Sequence, residues 1–240
     1  ALAFLAYMPS YLDGSERRGR GRPWDAFRKA AFWRWSAQYV DLTMIRVADL
    51  AAYKQVITAW SPHAILILSR LAMYGHRFED LFPHLDMRAL GATPIFRWPG
   101  SREISLWLGA VDASASTAKR VLSEGKSIIV YPGGSLELTK TDANSPETVL
   151  ELSSRKGFVR LAYEHGVPLV PVVVYNERDA FTKFDAPQWL QRWCLRTLRM
   201  PLVLFYGRWC TLMPRRLRLG IVFGAPIAVP HVPDLSLIHI

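Results

Sequence analysis

Short, uninterrupted apolar runs separated by helical stretches constrain this chain more than any other feature. Gln55–Ala59 (QVITA) enters Trp60-Ser61-Pro62-His63, Ser127–Tyr131 (SIIVY) enters Pro132-Gly133-Gly134, and Leu169–Tyr175 reads LVPVVVY. Runs of this length, rich in β-branched residues, read as strands buried on both faces, the pattern of a parallel sheet covered by helices. Arg88–Phe96 (RALGATPIF) is a weaker strand candidate, and Arg218–Phe223 is a late one ending at Gly224 and Pro226. Helical spacing is expected over Ala64–Tyr74 before Gly75, over Ala113–Ser123 between a capping Asp112 and Gly125, and over Lys156–His165 before Gly166. The expected fold is α/β, with a mostly parallel central sheet flanked by helices. Sites in such sheets lie beyond the strand ends, where the loops collect.

At 240 residues the chain can bury a sizeable core, and its 50% hydrophobic content excludes a disordered polymer. Two cysteines exclude a disulfide framework or a four-thiolate zinc site and fit a reducing compartment. The 30 basic side chains outnumber 20 acidic ones, a net charge of +10. Nucleic acid, an anionic membrane surface and a polyanionic substrate all suit that excess. Its placement favours the membrane. Arg17, Arg18, Arg20, Arg22, Arg28, Lys29 and Arg34 crowd together just after the uncharged stretch Ala1–Leu12. An apolar segment followed by arginines resembles a membrane exit on the cytoplasmic side, although a solvated linker has the same composition. No stretch reaches the roughly 18–20 apolar residues of a spanning helix. Trp24–Trp35 reads as an interfacial amphipathic helix. Beginning inside an apolar run without an initiator Met, the sequence reads as a piece of a longer chain whose anchor lies upstream or flat on the surface. The expected division is a membrane-proximal basic and aromatic segment over 1–40, a catalytic domain over 41–233 and an atypical tail over 234–240.

Two turns hold the residues best suited to chemistry. His63 follows a strand and a proline, so its imidazole is either a general base for a hydroxyl or a turn histidine with satisfied hydrogen bonds. The adjacent glycines of Pro132–Glu137 either aim N–H groups at an anion or oxyanion, or simply make a strand-to-helix turn. Glu137 is the natural partner for a base or an acceptor hydroxyl. Arg155, Lys156 and Arg160, with Arg97 and Arg102, either hold phosphates or form a solvated basic face. The remaining histidines show no metal-ligand spacing, so no metal is assigned. Cys194 and Cys210 lack a base partner in sequence, and no nucleic-acid motif is present.

Taken together these segments resemble the type-2 diacylglycerol acyltransferase family, which includes monoacylglycerol and wax-ester acyltransferases. Arg155–Ala162 (RKGFVRLA), His165-Gly166 and Leu169-Val170-Pro171-Val172 are similar to its R-K-G-F-x-x-x-A…G…L-V-P-V block. Pro132–Glu137 (PGGSLE) matches its P-G-G-x-x-E loop, and Trp107-Leu108-Gly109, preceded by Arg102, its W-L-G segment. Phe205–Arg208, Pro214–Arg216 and Val222–Ile227 match three later elements in order. The resemblance runs from about residue 12 to residue 230.

There are departures. Animal members carry His-Pro-His-Gly where this chain has Ser61-Pro62-His63-Ala64, and the family's F-G-x-x element is here Tyr175-Asn176-Glu177-Arg178. The related glycerol-phosphate acyltransferases use H-x-x-x-x-D and an E-G-T-R loop. Here Leu68 stands five residues after His63 and the loop has no arginine, which favours a neutral acceptor alcohol.

The resemblance implies transfer of a fatty acyl group from acyl-CoA to the free hydroxyl of diacylglycerol, on the cytoplasmic face of the endoplasmic reticulum or on lipid droplets. It makes His63 and Glu137 the catalytic pair. Pro62, Gly133, Gly134, Ser135 and Gly157 would line the substrate, with Arg102, Arg155, Lys156 and Arg208 as its cationic contacts. It implies no dissociable cofactor beyond the co-substrate acyl-CoA, membrane lipid as a partner, no nucleic acid, and self-association into a homo-oligomer as an open expectation. A monoacylglycerol or wax-alcohol acceptor and an inactive membrane-binding homologue are the competing readings.

Overall fold

The computed structural model describes residues 2–134, 137, 150, 152, 155–184, 186–198 and 202–232. Ser135 and the expected tail 234–240 lie outside the described residues.

The strands are β1 Thr43–Arg46, β2 Ile57–Ser61, β3 Met87–Gly91, β4 Ala110–Asp112, β5 Ser127–Val130, β6 Leu169–Tyr175, β7 Thr182–Phe184, β8 Leu204–Tyr206 and β9 Gly220–Phe223. Seven of them form one sheet in the order β1-β9-β6-β2-β5-β3-β4, while β7 and β8 pair separately. All neighbours in the large sheet are parallel except β6 and β9. The helices are α1 Leu2–Tyr11, α2 Asp25–Arg28, α3 Ala31–Tyr39, α4 Arg77–Leu81, α5 Ser101–Trp107, α6 Ala115–Ser123, α7 Gly157–His165 and α8 Gln188–Leu198. Among the described residues no helix is long and apolar enough to cross a membrane.

Alternate residues of β2 and β5 feed two apolar layers, whereas β6, expected to be buried on both faces, exposes Pro171, Val173 and Tyr175. Ile57, Ile128, Val130 and Leu169 pack with Val121, Leu122, Leu161 and Ala162 of α6 and α7. Trp60, Ile129, Val170 and Val172 pack on the other face with Phe78, Phe82 and Phe223. Each fully buried Leu, Ile or Phe contributes about 1.5–3 kcal/mol, so the sheet centre is rigid ground for a site. Helices α6 and α7 lie against each other and are bridged by Lys119 and Glu164 at 2.7 Å.

Several expected elements are shorter than their apolar patterns. Residues 64–67 are not helical; only Leu68–Met73 forms a 3-10 turn. The strand expected over Arg88–Phe96 is β3, which stops at Gly91, and the following 3-10 turn over Thr93–Arg97 contains Pro94, which lacks the N–H a ladder needs. Asp112 ends β4, and its carboxylate accepts the Ser114 N–H at 2.9 Å, so α6 starts two residues later than expected. The aromatic stretch expected as one interfacial helix is two, α2 and α3. Trp33 turns inward, donating from its indole to the Phe27 carbonyl at 2.7 Å, while Trp24, Phe32 and Trp35 stay exposed.

The segment 1–40 is packed onto the α/β body. Ala37 and Val40 are buried in the core, and the Tyr39 hydroxyl donates to the Pro214 carbonyl at 2.9 Å.

Candidate active site

Strands β2, β5 and β6 lie side by side in parallel, with Ala59 opposite Val130 and Ser61 opposite Val173. Their carboxyl ends therefore open together. Three segments meet there: Pro62-His63 after β2, Tyr131–Gly134 with Glu137 after β5, and Asn176-Glu177 after β6. The two turns singled out in the sequence therefore lie at one end of the sheet, where a parallel sheet can gather a site.

The Ser61–Pro62 peptide bond is cis. Beyond it the half-buried His63 ring stands nearly perpendicular to Tyr131, with centroids 5.6 Å apart. Burial pulls the imidazole below its ordinary value of 6.5, outweighing the opposing influences of the Ala64 main chain and the Glu137 charge. The ring is accordingly neutral at physiological pH, the state in which it accepts a proton. Its Nδ1 is buried and has no hydrogen-bond partner among the described residues.

Glu137 reaches this histidine through the main chain. Its Oε2 accepts the His63 backbone N–H at 2.7 Å, and the side chain is almost wholly buried. The two glycines make room for that grip. A Cβ at Gly133 would lie 2.0 Å from the Glu137 carboxyl carbon, so any larger residue there would displace that carboxylate. Gly134 adopts φ +51, and its N–H closes a turn onto the Tyr131 carbonyl at 3.1 Å. The expectation that both glycines present N–H groups to a ligand is corrected for Gly134, whose N–H is committed to the turn.

In sequence Glu177 stands out only as part of Tyr175-Asn176-Glu177-Arg178. In the structure it is a buried carboxyl that accepts the Ser69 backbone N–H. Burial pushes it up to about 7, against the opposing pull of the Ser69, Ala64 and Leu68 main chain and the Ser69 side chain. These contacts explain why residues 64–67 are not helical, because their segment turns towards a side chain from a neighbouring strand. Ser69 Oγ and the Tyr131 hydroxyl lie 3.2 Å apart, which links this second carboxyl to the ring beside His63. The signal available in sequence was its position, an acid two residues past a buried strand adjacent to β2. Burial itself could not be read there.

The cationic residues divide. Arg155, Lys156 and Gly157 are exposed at the start of α7. That helix leads from the end of β5 back to the start of β6, so its N-terminus opens at the same end of the sheet as His63.

Arg102 belongs elsewhere. It is 1% exposed beside β4, three strands from β2, and donates to the Ser10 carbonyl at 2.8 Å, Asp13 at 2.7 Å, Glu16 at 2.9 Å and Glu103 at 3.0 Å. Ringed by three carboxylates, it ties the amino-terminal segment to α5 and has no donor face turned to a phosphate. Arg97 lies nearby, its carbonyl accepting the Tyr11 hydroxyl at 2.9 Å. Arg208 follows β8 and stacks its guanidinium over Trp209 at 4.0 Å, on the separate two-stranded excursion. Pro62 is half-buried between Ser61 and His63, and Ser135 lies outside the described residues. Among the described residues no three His, Cys, Asp or Glu side chains gather as a metal site requires.

This geometry can be set beside known proteins. Diacylglycerol O-acyltransferase 2A of Umbelopsis ramanniana is 28% identical over 228 residues, covering 88% of this chain and 64% of its own length. Human 2-acylglycerol O-acyltransferase 3 is 29% identical, over 92% of this chain and 69% of its own. Mouse acyl-CoA wax alcohol acyltransferase 2 is 27% identical, over 90% and 69%. The chain thus spans about two thirds of the length of the relatives it matches. Because residues 1–237 match the family described as Diacylglycerol acyltransferase, the chain belongs to the diacylglycerol acyltransferase family.

Proposed function

We propose that the protein transfers a fatty acyl group from acyl-CoA to the free hydroxyl of a glycerolipid, diacylglycerol being the acceptor that yields triacylglycerol. The observation that carries this reading is a neutral His63 beyond the end of β2, with its backbone N–H held by a buried Glu137. In the reaction the imidazole takes the hydroxyl proton as the oxygen attacks the thioester carbonyl. The C–S bond then breaks, and the CoA thiolate departs with the proton returned by the imidazolium. Positioned general-base catalysis of this kind supplies roughly 10²–10⁴-fold. Of the two glycine N–H groups, that of Gly133 is the one left to aim at the developing oxyanion, and an oxyanion donor is worth about 10²–10³ in rate. Glu137 orients the base by fixing its main chain. Arg155 and Lys156, exposed at the opening of α7, are suited to the phosphates of CoA.

The relatives differ in acceptor, as their names state: diacylglycerol, 2-acylglycerol and wax alcohol. An uncharged acceptor fits the Pro132–Glu137 loop, which brings no arginine to the site. The proposed setting is the cytoplasmic face of the endoplasmic reticulum membrane or a lipid droplet. Exposed Trp24, Phe32 and Trp35 among arginines support it, and so do Trp189 and Trp193 on α8 beside Arg192 and Arg196. The test is complementation of a yeast strain lacking neutral-lipid synthesis. Oil droplets and labelled triacylglycerol are the expected result, and label in monoacylglycerol-derived or wax products instead would reassign the acceptor.

A further inference from the structure

The proposed chemistry uses one buried carboxyl, Glu137, yet a second faces the same loop from the other side. Glu177 is 1% exposed, and its Oε2 is buried with no hydrogen-bond partner among the described residues. A carboxyl left half-satisfied in a low-dielectric interior is expensive, so a position that retains one needs what the other oxygen does. That oxygen accepts the Ser69 N–H. The turn that carries it is anchored in turn. Asn176, in the left-handed region at φ 65, donates from its side-chain amide to the Arg218 carbonyl at 2.8 Å.

The loop after β2 is therefore fastened to both neighbouring strands. Glu137, from the turn after β5, holds the near end at His63 N. Glu177, from the turn after β6, holds the far end at Ser69 N. Between them the Ser69 hydroxyl contacts Tyr131, whose ring faces the His63 imidazole. We infer that Glu177 is a positioning residue: with Glu137 it stretches the 62–69 loop between β5 and β6, and so fixes where the His63 ring sits. The inference rests on the reading of His63 as the base. Glu177 acts on His63 through the main chain of the loop, by the bond it accepts from the Ser69 amide.

The test combines a probe of the loop with a probe of turnover, both on the full chain in detergent micelles. Amide hydrogen exchange in the unmodified protein is expected to show peptide 62–73 protected at the level of β2 and β5, and loop-like exchange there overturns the clamp without any variant. In turnover assays Glu177→Ala is expected to lower kcat by about tenfold to hundredfold, the effect of a small displacement of a catalytic group. Its KM for acyl-CoA should stay within about twofold. Glu177→Gln keeps an acceptor oxygen for Ser69 N and should recover kcat to within about fivefold of the parent. A wild-type kcat in Glu177→Ala, or an equal loss in both variants, refutes the positioning role. His63→Ala assayed alongside separates the two claims. If that variant stays active the base reading fails, while the exchange data still decide whether the clamp exists.

Discussion

Two clusters of buried charge in this protein are built in opposite ways. Around Arg102 nearly every polar group is matched. Its guanidinium meets Asp13, Glu16 and Glu103, while Arg22 reaches Asp13 at 2.9 Å and the Tyr7 hydroxyl donates to Glu103 at 2.5 Å. Burial alone would raise Asp13, but Ser15 and the two guanidiniums outweigh it and bring the carboxyl down to about 2. Around His63 charge is sparse, and the acids hold main-chain N–H groups. Two side-chain atoms there, His63 Nδ1 and Glu177 Oε2, have no partner among the described residues. The first arrangement suits architecture, since a fully paired network has one low-energy geometry. The second leaves groups able to change protonation, which architecture does not need and a proton transfer does.

The sharpest way to break this comparison is Arg102→Leu. It leaves three carboxylates facing a buried apolar side chain, and removing one partner of a buried ion cluster costs about 3–5 kcal/mol. A large fall in thermal stability is expected, with the turnover of whatever remains folded unaltered. A kcat defect at unchanged stability would instead put Arg102 in the site. Next comes Glu137→Ala, which frees the His63 amide. Turnover should fall by roughly tenfold to hundredfold, because a charge-assisted hydrogen bond is worth about 1.5–3 kcal/mol. The KM for acyl-CoA should move little, and a KM-dominated loss would make Glu137 a substrate contact.

Gly133→Ala should imitate that loss in part, about tenfold or more in kcat, by pushing the Glu137 carboxyl off its seat. A fully active alanine variant would show that the glycine serves something else.

The smallest effect is a titration. The His63 pKa is lowered in the fold, so between its folded and unfolded values the unfolded chain binds more protons and stability rises with pH, up to the ordinary 6.5. Glu177 is raised, so the folded chain binds more protons between 4.5 and about 7 and stability falls with pH across that window. Denaturation midpoints of Glu177→Gln should therefore gain on the parent as pH rises from 4.5 to 7, and a flat difference would remove the raised carboxyl from the account. In kcat/KM the acid limb should lie below pH 6.5, on the same depressed imidazole.

The sheet was legible because β5 and β6 are nearly pure apolar runs, although only β5 is buried along its whole length and β6 leaves Pro171, Val173 and Tyr175 exposed. The turns were legible because proline and glycines sit where those runs stop. The part that was not legible depends on contacts between residues far apart in sequence. Ala64–Tyr74 has helical spacing, yet Glu177, more than a hundred residues on, takes the Ser69 amide and holds the segment off the helix. Arg102 looked available for phosphate because its three acids include Asp13 and Glu16, nearly ninety positions upstream. The Glu137 grip was anticipated as a pairing with His63, but not that it would run through the backbone.

Acyl transfer by His63→Ala, assayed in microsomes with labelled acyl-CoA and diacylglycerol at matched protein levels, tests the proposed base most directly. Loss of triacylglycerol formation by at least about 10²-fold, with membrane association kept, is the predicted result. Synthesis at close to the parent rate would mean that another group takes the hydroxyl proton.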